Sequence, residues 1–564
     1  MDYENSSFKS GSTGKRLPKT QNLVRKNTNM SMLSKNTLIL DILNKISGGK
    51  KSISGKEMRA YLKRNGFLSD DPRWKDFYSY LNVVEEINAE NCEKIFCTNI
   101  TDLGKCINEN FVIDDFESFS KILKEIFENQ FKVMRGEIAD YIPQLARQNP
   151  NKYGMSFCST DGQRFNIGDY DDPFCVQSCC KPINYGIAIE SVGLEYFSKY
   201  VGKEPSGKSF QSVAMNSDGI PYNPMVNAGA IMTCSLVEKD LKPSEKFDKV
   251  LNWWTRLAGG YKPGFDISTY LSEKDTGWNN YHLAYYMKSS NLFPEKTDFD
   301  LNTQFYFQCC AIEMSCKKLA VVAATLANGG VCPLTHEKVF QSSTTKHILS
   351  LMYSCGMSDY SGQFAFKVGL PAKSGVSGCV MVVVPNVGGF CTWSPRLDKI
   401  GKNSTRGITF FEELVSRFTF HNFDGLGNLS KDEEVVDFES IDERNISKKM
   451  KNQVNDNQIK IDPLRHGTYT HDEMVTALLF AAFENDINTI RNMILNNVDL
   501  NVIDYDKRTA LHVAASEGCF DSVKMLIDNG ANINVKDRFN NTPLDDAARG
   551  GHSDIIEYLI ENDR

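Results

Sequence analysis

The chain has 564 residues, 41% hydrophobic and 24% charged, with a formal net charge of −7. That is too long for one core, so several units are expected, and the acidic balance excludes a nucleic-acid-binding surface as the main business. No apolar run reaches the roughly 18 residues of a membrane span, and the scattered cysteines, with adjacent pairs Cys179–Cys180 and Cys309–Cys310 and no secretory signal before them, point to reduced thiols.

Residues 1–35 are basic and rich in Ser, Thr and Asn, with few large apolar side chains. They are expected to be disordered, with the composition of an organelle transit peptide despite Asp2 and Glu4. From 36 to 131 the pattern is helical. Leu38, Leu40, Ile42, Leu43 and Ile46 open an apolar stripe, and Phe111 to Phe127 supply another, predicting an all-α N-terminal domain. Asp41 to Glu57 has a helix–loop–helix look, but Ser, Gly and Lys stand where a calcium loop needs acidic oxygens. Cys92 and Cys97 lack a second ligand pair, so no structural metal is expected.

Residues 132–426 change to mixed α/β texture. A helical stretch, Lys318 to Ala327, alternates with strand candidates such as Val380 to Pro385 and Ile408 to Phe410. A linker is expected over 427–470, where acid- and lysine-rich runs such as Lys431-Asp-Glu-Glu434 and Lys448-Lys-Met-Lys451 fall. Over 471–564, Thr476-Ala-Leu-Leu-Phe-Ala-Ala482 recurs with variation at 509 and 542, a period of 33 residues. That period and motif resemble the ankyrin repeat, a turn plus two helices that works by protein contact.

The residues with chemistry begin at Phe174-Cys-Val-Gln-Ser-Cys-Cys-Lys-Pro182. Ser178 and Lys181 form S-x-x-K, and positions i and i+3 of a helix share a face. Pro182 is tolerated only in a first turn, which places Ser178 at a helix start, where partial positive charge favours an oxyanion. A desolvated lysine of lowered pKa can take the serine proton. Farther on, Lys373-Ser-Gly375 precedes the apolar strand Cys379 to Pro385. It resembles the K-[ST]-G element of serine β-lactamases and penicillin-binding proteins, whose strand edge supplies a second oxyanion donor.

Longer stretches carry a closer resemblance. Asp140-Tyr-Ile-Pro-Gln-Leu-Ala146, Gln177-Ser-Cys-Cys-Lys-Pro182, Val201-Gly-Lys-Glu-Pro-Ser-Gly207 and Asn223-Pro-Met-Val-Asn-Ala-Gly-Ala-Ile231 are contiguous and in order. So are Ala324-Thr-Leu-Ala-Asn-Gly-Gly330, Ser361-Gly-Gln-Phe-Ala-Phe366, Leu370-Pro-Ala-Lys-Ser-Gly-Val376 and Val383-Val-Pro-Asn386. Together they resemble the glutaminase family, and the whole chain is similar to its animal kidney/liver-type members. The resemblance implies a serine β-lactamase/penicillin-binding-protein-like catalytic domain that hydrolyses L-glutamine to L-glutamate and ammonia. It implies Ser178 as nucleophile and Lys181 as its activator. Tyr141, Asn227, Glu273, Asn280 and Tyr306 would hold the amino-acid end of the substrate, and the backbone N–H groups of Ser178 and Val376 the oxyanion. A homotetramer, a mitochondrial location, a protein partner for the repeats and phosphate activation without a cofactor are implied as well.

Two departures stand out. The family has a proton-relaying tyrosine after Cys-Gly-Met, but this chain reads Cys355-Gly-Met-Ser-Asp-Tyr-Ser361, with Ser358 at that place and Tyr360 two residues on. The loop Lys208-Ser-Phe-Gln-Ser-Val-Ala214 is less basic and less aromatic than its relatives. The first opens an alternative, a catalytically weak scaffold acting through its repeats. A β-lactam-binding acylase would explain only the two short motifs around Ser178 and Lys373.

Overall fold

A computed structural model describes residues 52–88, 111–113, 115–207, 215–399, 402–424, 471–495 and 498–562. The basic segment 1–35, the linker 427–470 and the loop Lys208–Ala214 lie outside the described residues.

Within the first unit, strands β1 (Ser52–Ser54) and β2 (Glu86–Asn88) pair antiparallel with Ile53 opposite Ile87. The all-α expectation for 36–131 is therefore corrected. Each strand centres one buried isoleucine between more accessible neighbours, an alternation that favours a ladder.

The second unit is built on a five-stranded antiparallel sheet in the order β4-β3-β10-β9-β8. Its strands are β3 (Gly154–Ser159), β4 (Arg164–Gly168), β8 (Ala372–Ser374), β9 (Cys379–Val384) and β10 (Gly388–Trp393). A small second sheet holds β5 (Phe174–Cys175), β6 (Gly264–Phe265) and β7 (Ile312–Met314). The helices that matter for the site are α1 (Phe116–Gln130), α2 (Cys180–Val192), α3 (Asn227–Leu236), α4 (Ile267–Thr276), α5 (Trp278–Ser289), α6 (Phe299–Cys310), α7 (Cys316–Ala327) and α8 (Thr405–Arg417).

Alternation along β9 explains the layering. Cys379, Met381 and Val383 face a core shared with α2, α3, α6 and α7, while Val380, Val382 and Val384 face a second core shared with α1 and α8. A strand covered on both faces reads as a continuous apolar run. Helix α7 lies directly on β10 because Gly389 has no side chain; a Cβ there would sit 2.2 Å from the Ala324 nitrogen.

Two expectations need correction here. Ile408 to Phe410 is not a strand but part of α8. The Ser404 side chain caps that helix at the Gly407 N–H, and Ile408, Phe411 and Leu414 recur at helical spacing on the buried side. Nor does packing break at 131. Phe119 of α1 meets Phe157 at 5.0 Å and Phe418 at 5.1 Å between ring centroids, so α1 belongs to the core of the large domain.

A buried ionic cluster ties residues 70–71 to β4. The Arg164 guanidinium is 1% exposed, pairs with Asp70 at 2.9 Å and Asp71 at 3.7 Å, and donates to the Tyr261 hydroxyl at 2.9 Å.

The C-terminal repeats form helix pairs whose alanines and leucines build their own core. Thr509 and Thr542 are N-caps, and Gly518 and Gly551 close the same helices in left-handed conformation with φ of 76° each. The periodic residues are thus the punctuation of the repeat. Thr476 differs: it lies inside the longer helix His471–Phe483.

Candidate active site

Ser178 sits in a 3-10 turn, Gln177–Cys179, that runs into α2. The turn is anchored where Val176 N–H donates to Ile312 O at 2.8 Å. Gln177 holds a left-handed φ of 48°, a strained conformation for a side-chain-bearing residue. Opposite this turn, Lys373 and Ser374 lie on β8, the edge strand of the main sheet, and Val376 follows in the next loop. Gly375 is required there, since a Cβ would come within 2.7 Å of Val176 O.

A cavity of about 930 Å³ opens between these elements. Its wall contains Tyr141, Ser178, Asn227, Glu273, Asn280, Tyr306 and Val376, every residue named above for substrate contact. They come from seven separate places in the chain: the loop before Pro143, the 177–179 turn, α3, α4, α5, α6, and the loop after β8. Tyr360 is also in the wall, whereas Lys181 and Lys373 lie buried behind it and Ser358 is not among the lining residues.

The amine of Lys181 is the electrostatic centre. It is 2% exposed and donates to Asn227 Oδ1 at 2.6 Å and Met225 O at 3.0 Å. Burial, helped by the nearby charge of Lys373, lowers its pKa from 10.5 to about 7. Those hydrogen bonds, rather than one to Ser178 Oγ, occupy it. Burial lowers Lys373 as well, and its ammonium donates to Ser374 O at 2.8 Å.

On the opposite wall, Glu273 is 5% exposed and accepts from Tyr141 OH at 2.7 Å and from Gln177 Nε2 at 3.2 Å. Burial raises its carboxyl pKa, and the two hydrogen bonds hold it back. Asn227 Nδ2 donates to Asn280 Oδ1 at 2.9 Å, and Tyr306 OH donates to Asn227 Oδ1 at 3.4 Å. The cavity thus offers a carboxylate at one side and amide and phenol groups at another, a set that fits a zwitterionic amino acid.

Ser358 and Tyr360 share a 3-10 turn, Ser358–Tyr360, which Ser358 opens with φ of 54°. At three residues per turn, positions two apart point in different directions, so the two side chains part company. Tyr360 OH donates to Glu412 Oε1 at 3.3 Å and accepts from Lys367 Nζ at 3.3 Å, and Lys367 pairs with Glu412 at 3.0 Å. Gln177, Lys367 and Glu412 were not foreseen. Gln177 adjoins Ser178, which is a usable signal, but nothing local marks the other two.

One group among the described residues has metal-ligating atoms close together: Cys175, Asp266 and Glu313, all within 4.8 Å. Two of the three side chains are otherwise engaged. Asp266 caps α4 through Ser268 N and Thr269 Oγ1, and burial pushes the Cys175 thiol up to about 12. This is a packing cluster. No described helix is long and apolar enough to cross a membrane.

The glutaminase family model matches residues 136–423, and a model for ankyrin repeats in three copies matches 478–564. The chain is 43% identical over 471 residues to "Glutaminase liver isoform, mitochondrial" of Rattus norvegicus, covering 82% of this chain and 73% of that protein. A "Glutaminase" of Nostoc sp. is 42% identical over 314 residues, covering 56% of this chain and 90% of that protein. Among solved structures, Mglu in its native form superimposes with a TM-score of 0.51 at 32% identity, covering 56% of this chain and 74% of the other.

Proposed function

The chain belongs to the glutaminase family, and on that premise we propose that it hydrolyses L-glutamine to L-glutamate and ammonia through a covalent intermediate on Ser178. Ser178 Oγ attacks the side-chain amide carbonyl while the Lys181 amine takes its proton. The backbone N–H groups of Ser178 and Val376 receive the negative charge that develops on the carbonyl oxygen. The C–N bond breaks as ammonia leaves protonated, and water then cleaves the glutamyl ester to glutamate and free serine. Glu273 holds the substrate ammonium, and Asn227, Asn280, Tyr141 and Tyr306 its carboxylate. Tyr360 is assigned the proton relay toward the leaving nitrogen, as the remaining phenol in the cavity wall.

The observation that carries this reading is the buried Lys181 amine, with a pKa lowered to about 7, one turn from Ser178 behind a cavity lined by both ends of a substrate site. An amine near neutrality is unprotonated when it must accept a proton and protonated when it must return one. The penicillin-binding-protein-like assignment of the catalytic domain is supported by three features. These are a five-stranded antiparallel sheet with helices on both faces, S-x-x-K at a helix start, and K-S-G on the edge strand. We assign catalysis to residues 132–426 and partner contact to 471–564. The Nostoc match, confined to about half the chain, supports that separation. A homotetramer, phosphate activation and a mitochondrial location belong to the same reading. For the location, support comes from the rat relative's mitochondrial name.

A second reading, a weak catalyst serving as a binding scaffold, draws on the Ser358 position: it lies outside the cavity wall, and the Tyr360 hydroxyl is held by Glu412 and Lys367. The deciding experiment is glutamine-dependent ammonia release by the purified full chain. It is expected to vanish in Ser178→Ala, and to yield γ-glutamyl hydroxamate when hydroxylamine competes with water. Turnover surviving in Ser178→Ala refutes the covalent route. A gain of orders of magnitude in Ser358→Tyr establishes the weak-catalyst reading.

A further inference from the structure

Two thiols that the reaction does not use lie directly behind the cavity wall. Cys179 follows Ser178 in the 3-10 turn and Cys379 opens β9; both are fully buried, and their sulfur atoms are 3.4 Å apart. Each also touches backbone across the gap. Cys179 Sγ donates to Lys373 O at 3.3 Å, and Cys379 Sγ contacts Val176 O at 3.6 Å while accepting from Ser377 Oγ at 3.4 Å. The pair therefore bridges the turn that carries Ser178 and the loop that carries Val376, the two sources of the oxyanion donors.

A disulfide requires sulfurs about 2.05 Å apart, so closing this pair needs an approach of about 1.4 Å. That is small enough for a covalent bond and large enough to disturb donors that must sit within a few tenths of an ångström of their target. Other buried thiols also pair in this domain, among them Cys180 with Cys310 and Cys234 with Cys309. Cys379 is distinguished from Cys179, Cys180 and Cys234. Burial opposes its ionisation, but its contacts with Cys179 and Ser377 and the charge of Lys373 lower its pKa overall, while theirs are raised. The thiolate is the form that reacts with peroxide.

We propose that Cys179 and Cys379 form an oxidation site at which hydrogen peroxide makes a reversible intramolecular disulfide that switches the enzyme off. The Cys379 thiolate attacks peroxide, breaking the O–O bond to give a sulfenic acid and hydroxide. Cys179 sulfur then displaces the sulfenic oxygen, which leaves as water once protonated. Two thiols are oxidised by two electrons, and one peroxide is reduced to two waters. The cross-link does not depend on the glutaminase reading; only its effect on turnover does.

The test uses the full chain treated with hydrogen peroxide, denatured with an alkylating agent present, digested and mapped by mass spectrometry. The expected product joins the Cys179 peptide to the Cys379 peptide, two hydrogens lighter than their sum. Ammonia release is expected to fall at least tenfold in parallel and to return on adding dithiothreitol. Cys379→Ala is expected to keep its own starting rate through the same treatment. Finding both thiols alkylated after treatment, or the link at 180–310 or 234–309 instead, overturns the proposal. So does equally fast inactivation of Cys379→Ala. If that variant fails to fold, the peptide map of the unaltered chain decides alone, and it does so whether or not the chain turns over glutamine.

Discussion

The sharpest consequence of a buried base concerns pH. With the Lys181 amine lowered to about 7, its neutral fraction is about one-tenth at pH 6 and about nine-tenths at pH 8. If that amine takes the serine proton, kcat/KM rises about tenfold between those values and then levels, because this ratio reports ionisations of the free enzyme. The neighbouring ammonium supplies an internal check. Lys373 lowers the Lys181 pKa by repulsion, so Lys373→Met removes a like charge, raises that pKa and moves the acidic limb to higher pH. A displacement on the order of one unit cuts activity at pH 7 about fivefold while leaving the high-pH plateau in place. Lys181→Met removes the base, with an expected loss of about 10²–10⁴-fold and no limb near 7. Steady-state ammonia release from pH 5.5 to 9, with circular dichroism to confirm folding, checks all three. A limb that stays put in Lys373→Met, or survives in Lys181→Met, means another group accepts the proton.

Glu273→Gln keeps the shape and hydrogen-bonding capacity of the carboxylate but not its charge. Its expected signature is a KM about 10- to 100-fold higher with kcat little changed, measured by glutamine titration. Tyr360→Phe is expected to lower kcat about 10²-fold, while Ser358→Ala changes it less than about twofold, because only the former side chain lines the cavity; the reverse order removes Tyr360 from the relay. Arg164→Ala leaves Asp71 with Arg73 and Asp70 with Lys317 but removes the buried guanidinium that joins both to the Tyr261 hydroxyl, and is expected to cost about 1–3 kcal/mol in thermal or denaturant unfolding. A change under about 1 kcal/mol there would mean that water replaces the guanidinium.

What could be read from sequence was whatever is written locally. The run Cys379 to Val384 announced a strand buried on both faces, and the 33-residue recurrence announced the repeats, because each reports a period the backbone itself imposes. The α8 segment was misread because Ile408-Thr-Phe-Phe411 is short, β-branched and aromatic. Only its Ser404 cap and the later Leu414 reveal the helical period. Residues drawn from distant motifs gather in one cavity, yet the electrostatic fact was not legible. Lys181 meets Asn227 across 46 positions, and its desolvation comes from elements packed around it rather than from its neighbours in sequence. The parting of Ser358 from Tyr360 depended on a turn type that three residues do not specify. Gln177 in the left-handed region was equally hidden, since glutamine is no marker for that conformation.

The site concentrates features that oppose folding: two buried amines, a buried carboxyl and left-handed backbone beside Ser178. A drop from 10.5 to about 7 for Lys181 corresponds to roughly 5 kcal/mol of penalty on its charged form. This is comparable to the whole net stability of an ordinary domain, so rigid packing elsewhere must offset it. The offset is structural and close by. Helix α2 is buried from Cys180 through Ile189, and β9 is buried along its whole length on both faces. The same packing that keeps water from the amine therefore holds the strained turn. Loosening it has two separable effects. A cavity made on the other face of the sheet, as in Val382→Ala, lowers stability and leaves the acidic limb near 7, because the amine stays dry. A change that lets water reach Lys181 returns its pKa toward 10.5 and moves the limb upward even where the global stability hardly alters. The position of that limb thus measures dryness at one nitrogen, independently of how tightly the rest of the chain is folded.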